Sequence, residues 1–211
     1  MQQASMLSRL SDYLKHNQLP KAQAWAAMAP PARLTDLALY NQNTNCLSPA
    51  AVAVNLYCKD GQWFFPLIRR NEDGLPHSGQ MALPGGRIEP GESAIDAAIR
   101  ECQEEIGLAL RPTNVIGQLS PLPIPVSNFL VIPIVTTCSP PKAFIRQERE
   151  VAAIYEINLT ELLAKDSKDS FLYQGTPTPC YRLAQQIVWG ATAMILSELE
   201  YIWIRGQESC S

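Results

Sequence analysis

The run Gly85–Leu108, GGRIEPGESAIDAAIRECQEEIGL, carries the densest set of constraints in the chain. Its second half has a helical period, with Ile95, Ala98, Ile99, Cys102 and Ile106 recurring on one face. Gly107 stands where a helix needs a left-handed stop. Glu101, Glu104 and Glu105 stand at i, i+3 and i+4, so one side of this helix gathers three carboxylates. Like charges at that spacing destabilise an isolated helix. Two readings follow: a solvated acidic face, or a set of oxygen ligands for a hard divalent cation. Pro84-Gly85-Gly86 just upstream lets backbone approach a metal or a phosphate closely, which favours the second reading. Arg100 and Glu92 are placed to orient the acids.

Outward from this run, Ala51–Cys58 (AVAVNLYC) and Trp63–Arg70 (WFFPLIRR) read as two strands joined at the turn KDGQ. Pro66 predicts an edge or a bulge in the second. Residues 75–92 are rich in Gly and Pro and read as loop or short strand-and-turn structure. Downstream, VIGQLSPL, NFLVIPIVTTC and EVAAIYEINL read as strands, the first two separated by PLPIPVS, and TELLAK as a short helix. The run LAQQIVWGATAMILSELEYIWI (183–204) reads as one largely apolar helix. At the other end, Met6, Leu7, Leu10 and Leu14 predict an amphipathic helix within 1–19, and KAQAWAAM adds a turn or two before Pro30-Pro31. The polar stretch NQNTN (41–45) marks a linker. The expected layout is a helical N-terminal extension and linker (1–45), a main domain (46–205) and a tail (206–211). Mixed strands with two substantial helices imply an α/β sandwich.

The 211 residues are 46% apolar and 18% charged, an ordinary globular composition able to bury a core without staples. Seventeen basic and 20 acidic residues give a net charge of −3, which excludes a general polyanion-binding surface, so no nucleic-acid partner is expected. Six acids but only Arg87 and Arg100 lie between Gly86 and Leu108, leaving 14 acids and 15 bases elsewhere. The acidity is one concentrated site on a near-neutral body. The six cysteines (46, 58, 102, 138, 180 and 210) form no CxxC pair and read as reduced thiols of a cytoplasmic protein rather than a zinc site or a disulfide framework. Neither a signal-peptide core nor an 18-residue apolar span is present, so no membrane association is expected.

Gly86, five residues, Glu92, seven residues, then Arg100-Glu101-Cys102-Gln103-Glu104-Glu105-Ile106-Gly107 resembles the Nudix box of the Nudix hydrolases. Every specified Gly, Glu and Arg is in place; Cys102 stands where a larger aliphatic residue is common. The resemblance implies an α/β/α sandwich with a mixed sheet, plus the helical N-terminal extension. It implies hydrolysis of a nucleoside diphosphate linked to another moiety, with Mg²⁺ or Mn²⁺. It further implies Glu101, Glu105 and Glu104 as metal ligands with the Gly85 carbonyl, Arg100 as the residue that orients Glu101, and Glu92 in a structural role. The general base stays open among Glu101, Glu148 and Glu150, the last two in the downstream loop FIRQEREV. A Nudix-fold sensing module without hydrolysis is the alternative of another class, and relatives of that kind usually lose a box glutamate.

A second resemblance concerns the substrate. Leu67-Ile68-Arg69-Arg70 and His77-Ser78-Gly79-Gln80-Met81-Ala82-Leu83-Pro84-Gly85-Gly86 are similar to the stretch before the box in coenzyme A pyrophosphatases. Ile68 replaces Thr, Gly74-Leu75 replaces Leu-Arg and Leu83 replaces Phe. This likeness implies cleavage of coenzyme A to 3′,5′-ADP and phosphopantetheine, with Arg70, His77, Gln80 and Arg69 as substrate-binding candidates. Arg146 and Arg149 are further phosphate-clamp candidates. Pro123, fifteen positions after Leu108, fits instead a rule of thumb for ADP-ribose enzymes. Ile187–Ala193 resembles the last helix of the coenzyme A branch, with Trp189 as core packing. The N-terminal helix is available as a homodimer contact or a lid.

Overall fold

The computed structural model describes residues 2–33, 46–72, 74 and 77–208. The linker motif at 41–45, Leu75 and Cys210 lie outside them. In chain order the elements are α1 (Gln2–His16), α2 (Ala22–Trp25), β1 (Ser48–Lys59), β2 (Gln62–Arg70), β3 (Met81–Ala82), β4 (Gly85–Arg87) and α3 (Ala94–Ile106). Then come β5 (Val115–Gln118), β6 (Leu122–Ile124), β7 (Phe129–Cys138), β8 (Val151–Asn158), α4 (Leu159–Leu163), β9 (Lys168–Tyr173), β10 (Thr176–Leu183), β11 (Gln186–Trp189) and α5 (Gly190–Glu208).

Among the described residues, β1 to β8 form one mixed sheet. β1 and β7 run parallel, Ser48–Tyr57 beside Phe129–Cys138, and the other pairings are antiparallel. β1 and β2 make a tight hairpin through Asp60-Gly61, both at positive φ, as the sequence predicts. Their pairing reaches only to Tyr57 and Phe64. The segment 81–87 enters the opening between them, with β3 bound to β2 and β4 bound to β1. That wedge brings Gly85 and Gly86 into the middle of the sheet, beneath α3. Pro66 sits within the β2–β8 ladder opposite Glu156, and the bulge falls at Arg69/Arg70 instead.

Both faces of β1 are buried, which is why AVAVNLYC is apolar at nearly every position rather than alternating; the exception, Asn55, is buried and accepts from Thr136 Oγ1 at 2.8 Å. Ala51 and Ala53 pack with Ile68, Ile134 and the α3 residues Ala97, Ala98, Cys102 and Ile106. Val54, Leu56, Phe65 and Leu67 pack on the other side against Ala193, Leu196, Leu199 and Trp203 of α5. The result is the α/β/α sandwich. The N-terminal extension joins the second layer: Leu10, Trp25, Met28 and Ala29 are buried in the same core. Trp25 Nε1 donates to the buried Glu198 carboxylate at 3.2 Å, which also accepts from Ser120 Oγ and Ser120 N.

One expectation is overturned. The run 183–204 is not a single helix: Leu183 ends β10, Gln186–Trp189 is β11, and the helix starts at Gly190 and continues to Glu208. β9, β10 and β11 form a separate three-stranded sheet. The physical cause is a two-residue turn at Ala184-Gln185 with φ of 48° and 62°, a left-handed hairpin turn made without glycine or asparagine. Trp189 therefore ends a strand, and its ring packs on Tyr173 and Phe171.

Candidate active site

α3 begins at Ser93, whose Oγ accepts from Asp96 N at 3.1 Å, and stops at Gly107 with φ 69°. Within it the three carboxylates are graded by burial. Glu104 is 56% exposed and Glu101 13%, whereas Glu105 as a residue is 2% exposed and shares the buried face with Cys102. Arg100 offsets their repulsion. Its Nε and Nη2 donate to the two oxygens of Glu92, at 2.9 and 3.1 Å, and its Nη1 to Glu101 Oε1 and Glu104 Oε2, both at 2.9 Å. A further bond from Nη2 to the Arg87 carbonyl (3.0 Å) ties the helix to β4. Arg100 and the backbone N–H of Glu89 hold the Glu92 carboxyl below its usual range.

Glu105 Oε2 accepts from Gly85 N at 2.9 Å. The contact at Gly85 is thus through its N–H, whereas the resemblance points to its carbonyl. On the next residue, a Cβ on Gly86 would meet the Glu101 carboxylate, so a larger residue there would displace the side chain that Arg100 holds. Burial pushes the Glu105 carboxyl up to about 8, reinforced by the charges of Glu101 and Glu150; the Gly85 N–H and Arg70 oppose the rise. Burial likewise raises the Glu101 carboxyl, against the pull of Arg100.

The loop after β7 closes the site. Ile145 N donates to the Ile106 carbonyl at 2.9 Å and Gln147 N to the Glu105 carbonyl at 3.0 Å, using acceptors that the last helical turn leaves open. This fastening sets Gln147 and Glu150 beside the helix. Glu101, Glu104, Glu105, Gln147 and Glu150 line one cleft of about 370 Å³. Glu148 turns the other way, 82% exposed and 3.5 Å from Arg146. Sequence reasoning missed Gln147, because nothing in FIRQEREV signals which of its residues registers on the helix end.

The substrate-binding candidates divide. Arg70 lies close enough for its charge to act on Glu105. His77 and Gln80 meet each other, Nδ1 to Oε1 at 3.2 Å, in the turn before β3. The Gln80 carbonyl accepts from Arg70 N at 3.0 Å. Arg69 is paired with Met81 and shares with it and Leu67 the sheet face turned towards α5, so the ladder directs it away from the carboxylates. Its Nε is buried without a hydrogen-bond partner. Arg146 bonds the Ala152 carbonyl, bracing its own loop.

Among the described residues, no three Asp, Glu, His or Cys groups already converge tightly enough to hold a metal ion. Arg100 draws Glu101 and Glu104 to itself, and Gly85 N–H draws Glu105. The donor set nonetheless fits a hard divalent cation: four carboxylates and one carboxamide line the cleft, with no cationic side chain among them.

The sequence matches the NUDIX domain family over residues 47–174. The "Uncharacterized Nudix hydrolase NudL" of Photorhabdus laumondii is 33% identical over 198 residues, spanning 90% of this chain and 95% of that protein. The protein of the same description from Yersinia enterocolitica is 35% identical over 156 residues, 71% of this chain and 78% of its own length. Among solved structures, a MutT/nudix family protein from Enterococcus faecalis superposes with a TM-score of 0.51 at 19% identity, covering 94% of this chain and 73% of that one. Among the described residues, no helix is long and apolar enough to cross a membrane.

Proposed function

Because the chain belongs to the Nudix family and is a hydrolase of nucleoside diphosphate derivatives, we propose that its substrate is coenzyme A or a coenzyme A derivative, cleaved to 3′,5′-ADP and phosphopantetheine. The observation that carries this reading is the run Arg70, His77, Gly79, Gln80, Pro84, Gly85, Gly86 immediately before the box. The backbone bond from Arg70 N to the Gln80 carbonyl and the side-chain contact between His77 and Gln80 bring these three residues together at one end of β2 and β3.

Water attacks one phosphorus of the pyrophosphate, and the bond from that phosphorus to the bridging oxygen breaks. Glu101, Glu104 and Glu105 would hold Mg²⁺ or Mn²⁺, and the ion would supply charge neutralisation for the phosphate oxygens and acidification of the attacking water. Arg100 keeps Glu101 and Glu104 facing the cleft. Glu150 takes the water proton, since it lines the cleft whereas Glu148 is turned towards Arg146. Arg70 neutralises a phosphate on the substrate, and His77 and Gln80 bond its polar groups.

The test is turnover with Mg²⁺ and with Mn²⁺ on coenzyme A, ADP-ribose, NADH and UDP-sugars, with products resolved by chromatography. Coenzyme A is expected to yield 3′,5′-ADP and phosphopantetheine. An inert coenzyme A beside a rapidly cleaved ADP-ribose would sink the reading and favour the one that Pro123 suggests.

A further inference from the structure

Asn71, the residue after β2, belongs to none of the motifs, yet it joins two parts of the site. Its backbone N–H donates to the Glu150 carbonyl at 3.0 Å, and its Nδ2 donates to the Glu148 carbonyl at 2.8 Å. In the other direction its own carbonyl accepts from Gly79 N at 3.1 Å and from Ser78 Oγ at 3.2 Å. One residue thus ties the His77–Gln80 turn to the segment that carries Glu150 into the cleft.

The pair of donors is what matters. They hold carbonyls two residues apart on the Glu148–Glu150 segment, as a neighbouring strand would, so the carboxamide acts as a second backbone N–H. The segment is already turned by the bonds from Glu150 N and Val151 N to the Gln147 carbonyl, and the two Asn71 bonds add a restraint on its outer edge that sets the direction of the Glu150 side chain. Gln147 fastens the same loop to the helix end from the other side. We propose that Asn71 is a positioning residue that fixes Glu150 against the carboxylate cleft and holds its loop in register with the His77–Gln80 turn. This rests on the role given above to Glu150.

A double-mutant cycle on the full chain tests it, combining Asn71→Ala with Glu150→Gln. Two readouts are taken, kcat and KM on the best nucleotide substrate, and Mn²⁺ affinity from a titration followed by electron paramagnetic resonance. Asn71→Ala is expected to lower kcat about tenfold with KM nearly unchanged, and to weaken Mn²⁺ binding severalfold. In the Glu150→Gln background it should change either quantity less than about twofold. Asn71→Ser, which keeps a polar side chain too short to reach the Glu148 carbonyl, should repeat the pattern if the alanine chain folds poorly. Equal losses in both backgrounds overturn the proposal, as does a Glu150→Gln chain that behaves as wild type. A wild-type chain that cleaves none of the nucleotides sinks the substrate reading alone, because the Mn²⁺ titration still reads the coupling.

Discussion

Arg100 satisfies three carboxylates and a carbonyl from one guanidinium, a geometry that depends on its planar fork. Lysine keeps the charge but not the fork. Arg100→Lys is therefore expected to cost about 1–3 kcal/mol of stability and at least about tenfold in kcat, read by urea denaturation and by initial rates. Glu105→Gln separates charge from shape. Glutamine still accepts from Gly85 N–H and relieves a carboxylate that burial disfavours, so the melting temperature should hold or rise while turnover falls by about a hundredfold or more. A chain that retains turnover after this change does not use Glu105 as a ligand. The spacing of these acids was legible in the sequence; their grading was not. Burial of Glu105 follows from the wedge of Gly85 and Gly86 under α3, a tertiary contact that no local period encodes.

The end of α3 does two jobs as an element. It stops the helix, and it offers the carbonyls of Glu105 and Ile106 to the loop that bears Gln147 and Glu150. Gly107 permits both, since its φ of 69° suits glycine and a Cβ there would lie 2.6 Å from Cβ of Ile145. Gly107→Ala should therefore destabilise the fold by about 1–3 kcal/mol and also reduce kcat, because relief of the collision moves the loop away from the helix. Loss of stability with kcat intact would mean that the loop holds its place by other contacts. The contrast with the C-terminal run explains what sequence periodicity resolves. α3 has an amphipathic face and a glycine stop, so its limits were readable. The run 183–204 is largely apolar, and its hairpin turn uses Ala184-Gln185 rather than glycine or asparagine, leaving no signal to separate β11 from α5.

At the scale of the molecule, the N-terminal extension is part of the core rather than an appendage, and Glu198 is its fastening point. The carboxylate is fully buried on α5 and accepts from Trp25 Nε1, Ser120 Oγ and Ser120 N, thereby joining the extension to the segment between β5 and β6. Removing the indole donor with Trp25→Phe should lower stability by about 1 kcal/mol while leaving turnover unchanged. The pH dependence has a definite sign. Burial raises the Glu198 carboxyl above its ordinary 4.5, and the bonds from Ser120 and Trp25 only partly oppose it. A raised carboxyl means that the folded chain holds this proton more tightly than the unfolded one. Its contribution to stability is complete below the unfolded value and is lost as pH climbs through the folded value. Glutamine in this place cannot ionise. The unfolding free energy of Glu198→Gln minus that of wild type should therefore become more positive as pH rises above the ordinary glutamate range, measured by urea denaturation in a pH series. A difference that stays level across that window would show that the Glu198 carboxyl ionises with equal ease in the folded and unfolded chains.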